Sequence, residues 1–168
     1  YSNDLIGTQI GGALKNIYAI AAGVAEGLNL GENAKSALIS RSFAEMTRYA
    51  KKFKADKNTL FGLSGLGDLI LTCSSKNSRN TQFGIKLASS KYDNFSDLLK
   101  SQEVTEGYYT VKAVYNISQK KNIDMPIMES VYNILYKQHD LKEELSNLLS
   151  RPITCLLYTS DAADDDVR

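Results

Sequence analysis

The chain has little proline, no long apolar run and no pattern typical of strands. Only two of its 168 residues are proline, Pro126 and Pro152. No apolar run approaches the roughly 20 residues that a membrane-spanning helix needs, and nothing resembles a signal peptide. No segment alternates apolar and polar residues with a period of two. These absences argue against a transmembrane protein and against a β-sandwich or barrel, and they favour a soluble helical domain.

Cysteine, histidine and strong local charge are also scarce. The two cysteines, Cys73 and Cys155, have no metal-ligand partners nearby in the sequence. This predicts a reducing compartment, the cytoplasm, and no metal site. The single histidine, His139, is assigned no role. Residues 154–168 hold four aspartates and one arginine, a net charge of −3, so the total of +1 leaves +4 for the rest. A mildly basic chain without a basic run suits a small anionic ligand better than nucleic acid.

Apolar residues recur with the helical period along most of the chain. The first helix has one apolar face, formed by Ile10, Leu14, Ile17, Ala21, Val24 and Leu28. Gly31 is expected to stop this helix. Further helices are predicted around residues 43–53, 78–88, 108–115, 126–135 and 141–148, with Ser78 and Asp140 as N-caps and Pro126 in a first turn. The prediction is an all-α domain of roughly seven to nine helices of ordinary length.

Lys15 lies on a helix face with small side chains. Its neighbours at helical spacing are Gly11, Gly12, Tyr18 and Ala19. Glycine within a helix costs about 1 kcal/mol relative to alanine, so two in a row suggest that another element or a ligand approaches the backbone. A lysine on such a face, partly removed from water, could serve as a general acid and base. The alternative is a solvated lysine beside a helix crossing.

The segment 62–68 reads Gly-Leu-Ser-Gly-Leu-Gly-Asp. It does not match the dinucleotide-binding fingerprint, because no strand precedes it and its glycines are in the wrong order. We interpret it as a glycine-rich turn that leads into a helix. Asp68 and Thr72 would then lie one turn apart on the same face. Asp68 is either a functional carboxylate or an ordinary helix-start aspartate that interacts with the helix dipole.

Two further polar segments are predicted to begin helices. Ser78, Arg79 and Asn80 could bind a phosphate through the guanidinium and the helix N-terminus. Alternatively, they are a capping serine followed by a surface arginine. Glu106, which precedes Gly107, could accept hydrogen bonds from ribose hydroxyls, or it could simply be a favourable charge near a helix start.

Taken together, these segments resemble a known family, the NAD(P)-dependent glycerol-3-phosphate dehydrogenases. Residues 11–16, GGALKN, are similar to the family's lysine–asparagine helix motif. Residues 65–72 followed by 78–80 resemble its second signature, and residues 104–107 resemble its third. Order and separation agree over residues 3–153. The resemblance implies an all-helical C-terminal domain of the 6-phosphogluconate-dehydrogenase type, whose N-terminal Rossmann domain is missing from this chain.

The resemblance also implies a reaction and a role for each site residue. The reaction is the reversible reduction of dihydroxyacetone phosphate to sn-glycerol 3-phosphate, which feeds glycerophospholipid synthesis in bacteria. Lys15 would donate the proton to the carbonyl oxygen. The substrate would be bound by Lys15, Asn16, Asp68, Thr72, Ser78, Arg79 and Asn80. The cofactor, NAD or NADP, would be bound mainly by the missing domain and would contact Arg79, Val104 and Glu106. The fragment alone is therefore expected to be inactive. A homodimer is left open, as is the choice between the two cofactors.

Residues 154–168 are interpreted as a foreign tail, which leaves 1–153 as the domain. The codons TGT CTC TTA TAC ACA TCT GAC GCT GCC GAC would encode residues 155–164, and they resemble a sequencing-library adapter read in frame. Two alternatives to the dehydrogenase remain. The first, another dehydrogenase of the same helical superfamily, is disfavoured by the phosphate signature. The second, a non-catalytic helical interaction module, gives no reason for a glycine-flanked lysine, a Gly-Leu-Gly-Asp turn and a phosphate signature in one chain.

Overall fold

The computed structural model describes residues 3–89 and 105–151, and all regular elements in these ranges are helical. They are α1 (Leu5–Gly27), α2 (Glu32–Lys52), α3 (Lys57–Phe61), a π-helical turn (Leu63–Gly67), α4 (Asp68–Ser74), α5 (Arg79–Ala88), α6 (Glu106–Lys121), α7 (Pro126–Lys137) and α8 (Leu141–Ser150). The predicted all-α class is confirmed. Within the same ranges, no helix is long and apolar enough to cross a membrane. Val104 and the predicted foreign tail lie outside the described residues.

Three predicted helix starts agree with the structure. The Ser78 hydroxyl accepts a hydrogen bond from the N–H of Thr81 at 3.3 Å, and α5 follows directly. The Asp140 carboxylate accepts one from the N–H of Glu143 at 2.9 Å at the start of α8. Pro126 lies in the first turn of α7, where its missing N–H costs no helical hydrogen bond. Each cap satisfies a donor that the helix itself cannot pair.

The predicted stop at Gly31 is wrong. The first helix ends at Gly27, four residues earlier. Asn29 has a left-handed backbone with a φ of 55°, and the N–H of Leu30 bonds back to the carbonyl of Ala25 at 3.1 Å. A left-handed residue of this kind ends a helix, and asparagine adopts the conformation more readily than most residues. Gly31, with a φ of 85°, instead forms the N-cap position of α2.

Helix α1 is the centre of the fold. All nine residues from 17 to 25 are buried, so the helix has no solvent face along this stretch. A helix that is apolar on all sides must be enclosed by others, and α1 packs against α2, α4, α5, α6 and α7. Residues 15 and 16 lie immediately before the enclosed stretch and are half-buried. The turn of α1 that carries Lys15 and Asn16 is thus held in place by the packing of the buried stretch that follows it.

Helices α1 and α5 cross with their backbones in contact. A Cβ added to Gly23 would overlap the carbonyl of Thr81, and one added to Gly84 would overlap the carbonyl of Ile20. A Cβ on Gly27 would lie 2.6 Å from the Cβ of Ala88. No side chain fits between the two helices. The crossing brings the start of α5, including residues 78–80, close to α1.

A carboxyl group, Glu45, is buried where α1, α2 and α7 meet. Glu45 is only 1% exposed. Its two oxygens accept hydrogen bonds from the N–H groups of Ile127 at 2.6 Å and Met128 at 3.2 Å, and the Tyr18 hydroxyl donates at 3.5 Å. Burial raises the pKa of Glu45 from 4.5 to about 8, while the two N–H donors and Arg48 act in the opposite direction. Glu45 therefore binds the first turn of α7 to the central helices.

The raised pKa of Glu45 predicts that the fold loses stability as the pH rises. Between about pH 4.5 and 8 the folded chain keeps the Glu45 proton that the unfolded chain releases. The free energy of unfolding then falls with pH, by at most about 1.4 kcal/mol per pH unit for one proton. Glu45→Gln, which imitates the protonated form, should remove this slope. Urea unfolding from pH 5 to 8 measures the dependence of the unfolding free energy on pH. Identical slopes for the unmodified chain and for Glu45→Gln would contradict the raised pKa of Glu45.

Candidate active site

The first polar cluster joins α1 to α4 through an ion pair. The Nζ atom of Lys15 lies 2.5 Å from Oδ2 of Asp68. The two side chains are 24% and 33% exposed, so the pair is partly removed from water but can be reached. The Thr72 hydroxyl donates to the Asp68 backbone carbonyl at 2.6 Å and lies 3.4 Å from its Oδ1. Lys15 and the Asp68–Thr72 pair, which come from separate segments of the sequence, thus form one cluster.

Glycines allow the π-helical turn to approach α1 and to place Asp68. A Cβ on Gly11 would lie 2.6 Å from the carbonyl oxygen of Ser64, and one on Gly65 would overlap the backbone of Leu60. The turn leads directly into α4 at Asp68, as the glycine-rich turn was predicted to do. The close approach expected at the paired glycines occurs at Gly11. At Gly12, by contrast, a Cβ would meet nothing within 4 Å.

The second polar cluster joins α1, α5 and α6 through the Asn80 amide. Its Nδ2 donates to Oδ1 of Asn16 at 3.0 Å, and its Oδ1 accepts from the N–H of Gly107 at 3.1 Å. Asn80 is 7% exposed. The Asn16 amide also donates to Glu106 at 3.4 Å. Asn80 therefore connects the helix of the lysine to the first turn of α6.

Arg79 and Glu106 form an exposed pair at the edge of this cluster. The guanidinium NH2 lies 3.3 Å from Oε1 of Glu106, and the two side chains are 80% and 68% exposed. Such pairs in water contribute little to stability, typically about 0–1 kcal/mol. The pair can therefore open at small cost to bind another anion. The Ser78 hydroxyl is used as the N-cap of α5, so the capping serine and surface arginine considered for this segment are both present.

The two clusters adjoin because Lys15 and Asn16 are consecutive in α1. Ser78 lies at the start of the same α5 turn as Arg79 and Asn80. Val104 lies outside the described residues, so its predicted contact is not placed. The sequence reasoning gave no role to Gly107, whose N–H is a donor in the network. A Cβ there would lie 2.7 Å from both the Asn16 carbonyl and Asn80 Oδ1. A glycine directly after a helix-start glutamate was the available signal.

An open groove borders the first cluster. It encloses about 990 Å³ and is lined by Thr8, Asp56, Asn58, Thr59, Gly62, Leu63, Ser64, Gly67, Asp68 and Leu71. Asp68 is the one predicted site residue in its lining. Two leucines at its rim are well exposed, Leu63 by 88% and Leu71 by 67%. The lysine–aspartate pair therefore lies at the edge of an apolar surface.

Comparison with known proteins identifies this fold as a dehydrogenase-type helical domain. The model of one family, described as the NAD-dependent glycerol-3-phosphate dehydrogenase C-terminus, matches residues 4–146. This match covers most of the chain and includes both polar clusters. The chain belongs to this family, and the resemblance inferred from the sequence is confirmed.

Relatives and solved structures agree with the family match. A protein of Colwellia psychrerythraea named glycerol-3-phosphate dehydrogenase, with NAD(P)+ as its stated cofactor, is 47% identical over 152 residues. That alignment covers 90% of this chain and 45% of the relative. A crystal structure of glycerol-3-phosphate dehydrogenase from Coxiella burnetii matches with a TM-score of 0.83 at 39% identity, over 89% of this chain and 46% of that one. The Saccharomyces cerevisiae enzyme matches with a TM-score of 0.77 at 29% identity, over 88% and 43%.

The chain spans a little under half the length of the relatives it matches. Family membership and the helical fold follow from the comparisons.

The buried Asn80 network predicts unequal effects for neighbouring alanine variants. Asn80→Ala removes two hydrogen bonds and leaves the Gly107 N–H without its acceptor. An unsatisfied buried donor costs about 1–3 kcal/mol, so the free energy of unfolding should fall by about that amount. Arg79→Ala is the matched control, because its exposed ion pair should contribute less than about 1 kcal/mol. Urea denaturation followed by circular dichroism measures both, and equal losses would argue against the network.

Proposed function

We propose that this chain is the substrate-binding and catalytic half of an NAD(P)-dependent glycerol-3-phosphate dehydrogenase. The reaction is the reversible reduction of dihydroxyacetone phosphate to sn-glycerol 3-phosphate. The observation that carries the proposal is the 2.5 Å contact between Lys15 and Asp68. It unites two signatures that lie 53 residues apart in the sequence, in a chain that belongs to the glycerol-3-phosphate dehydrogenase family.

Lys15 is the proposed general acid. When bound, the reduced nicotinamide supplies a hydride to the carbonyl carbon, and the carbonyl oxygen then needs a proton. An ammonium group next to that oxygen stabilises the developing negative charge and delivers the proton. Asp68 holds the ammonium in place, and Thr72 lies against Asp68. In the oxidation direction, the neutral lysine amine takes the proton back from the alcohol.

The start of α5 is the proposed phosphate site. Arg79 contributes a guanidinium that is 80% exposed, and it is paired only with the exposed Glu106 among the ion pairs of the described residues. A helix N-terminus favours an anion, and a guanidinium can bind two phosphate oxygens at once. Ser78 and Asn80 flank Arg79 and fix this turn through the cap and the Asn16 contact. Asn16 would extend the substrate contacts from this turn toward Lys15.

The residues near Glu106 fit a polar cofactor group. Glu106 is 68% exposed, and its carboxylate could accept hydrogen bonds from ribose hydroxyls. Arg79 lies beside it, and the proposed contact of Val104 falls outside the described residues. These few contacts could not repay the entropy of immobilising a dinucleotide, so the chain alone should be inactive. We further propose a cytoplasmic enzyme of glycerophospholipid synthesis, with a homodimer as its candidate assembly.

Lys15→Ala should lower turnover far more than it weakens substrate binding. Loss of a general acid typically costs about 10²–10⁴-fold in rate. The test is steady-state reduction of dihydroxyacetone phosphate by the complete dehydrogenase that would contain this chain. Lys52→Ala, at an exposed position of α2, controls for the loss of one positive charge. Partial rescue of Lys15→Ala by added ethylammonium would support proton donation. Near-normal turnover without rescue would remove Lys15 from the mechanism.

Arg79→Lys should raise the KM for dihydroxyacetone phosphate although the charge is kept. Lysine lacks the planar fork that binds two phosphate oxygens. An effect of about 1–3 kcal/mol, roughly 5- to 150-fold, is expected for a charge-assisted pair. The same variant should reduce non-phosphorylated dihydroxyacetone about as well as the unmodified enzyme does. If both KM and turnover with the phosphorylated substrate are unchanged, the phosphate is bound elsewhere.

A further inference from the structure

Gly12 has no structural reason to be a glycine. It lies inside α1, well away from either end of a helix of 23 residues. Among the described glycines, only Gly31 has a positive φ, so Gly12 does not use the conformational freedom of its residue type. Alanine at such a position would favour the helix by about 1 kcal/mol. A residue with a side chain, such as alanine, would therefore make the helix more stable at this position.

Gly12 also differs from the other glycines of its helix. A Cβ on Gly11 or Gly27 would lie 2.6 Å from an atom of another element, and one on Gly23 would overlap α5. These glycines are required for close packing. Among the residues that the structure describes, a Cβ on Gly12 would have no heavy atom within 4 Å, apart from its own helix backbone and chain neighbours. Carbon atoms in contact lie about 3.5–4.0 Å apart, so this space is wide enough to admit an atom of a ligand.

Gly12 lies one helical turn before Lys15 and Asn16, which belong to the first and the second polar cluster respectively. In an α-helix a long side chain points back toward the N-terminus and covers the preceding turn. The ammonium of Lys15, three residues after Gly12, is therefore carried back over the turn that contains it. The Asn16 amide reaches back to the Gly12 carbonyl oxygen at 3.3 Å. Gly12 is thus a position without a side chain, one turn before both the proposed general acid and the asparagine that begins the network to Arg79.

We propose that Gly12 is a specificity-determining residue, against which the carbon skeleton of a three-carbon phosphorylated ketone packs. This inference rests on the proposed function. On this proposal, residue 12 has no side chain because the substrate, and not a neighbouring helix, occupies the space beside it. A methyl group at this position would occupy the substrate's space and displace the carbonyl carbon from Lys15.

The matched variants Gly11→Ala and Gly12→Ala separate packing from ligand space. In thermal unfolding of this chain, Gly11→Ala should lower the Tm because its Cβ meets the Ser64 carbonyl. Gly12→Ala should leave the Tm unchanged or raise it. A drop in Tm for Gly12→Ala as large as that for Gly11→Ala would overturn the proposal, because Gly12 would then be a packing residue.

The second arm uses the complete dehydrogenase. Gly12→Ala should reduce kcat/KM for dihydroxyacetone phosphate by about 10²-fold, the usual effect of a small misplacement of the reacting atoms. It should also weaken glycerol 3-phosphate binding measured by calorimetry, while the KM for the nicotinamide cofactor stays within about threefold. Unchanged values for both triose ligands, or an effect on the cofactor alone, would overturn the proposal.

A comparison with Lys15→Ala in the same enzyme distinguishes two failures. If Lys15→Ala has no effect, the proposed function itself fails. If Lys15→Ala abolishes turnover while Gly12→Ala acts like the unmodified enzyme, only the assignment of Gly12 fails.

Discussion

The enclosure of α1 is the constraint on which the rest of the domain depends. Residues 17–25 have no face toward water, so other helices must pack around α1. Two of those neighbours, α4 and α5, carry Asp68 and Asn80 at their first turns. The same packing that removes apolar surface from water therefore brings the polar residues to one end of α1. In this domain the site is a consequence of how the core is closed.

The members of the two polar clusters differ from one another in how firmly they are held. Lys15 and Asp68 are about one quarter and one third exposed and lie in direct contact, and Asn80 has both polar atoms of its side chain bonded. Arg79 and Glu106 project into solvent and share one long contact. A general acid needs fixed geometry relative to the reacting oxygen. A residue that binds a charged ligand arriving from water can remain exposed. The observed difference in burial matches the roles proposed for each residue.

The helical class, several caps and most members of the site could be predicted from the sequence. Helical periodicity and capping residues are local signals, so the helix starts at Ser78, Pro126 and Asp140 were predicted correctly. The end of α1 was not, because Gly31 is the more obvious breaker and the left-handed residue is Asn29. Both Asn29 and Gly31 can end a helix, and only the backbone conformation shows that the chain turns at Asn29.

Helical periodicity alone does not predict contacts between segments that are distant in the sequence. Glu45 lies at helical spacing from the buried Leu38, Ser42 and Tyr49, yet a carboxylate in such a series gives no indication of which N–H groups it meets. The sequence likewise does not show that a neighbouring element packs against Gly11 but not against Gly12. This difference depends on where the π-helical turn passes, and so on the tertiary structure.

The central position of α1 also affects how the chain is made. Helix α1 ends at Gly27, and α7, which helps to enclose it, begins at Pro126. At a synthesis rate of about 5–20 residues per second, roughly 5–20 s separate the emergence of the two from the ribosome. During that interval the apolar stretch from residue 17 to residue 25 has incomplete cover. The nascent chain therefore passes through a period in which α1 is open to molecular chaperones that bind exposed apolar segments.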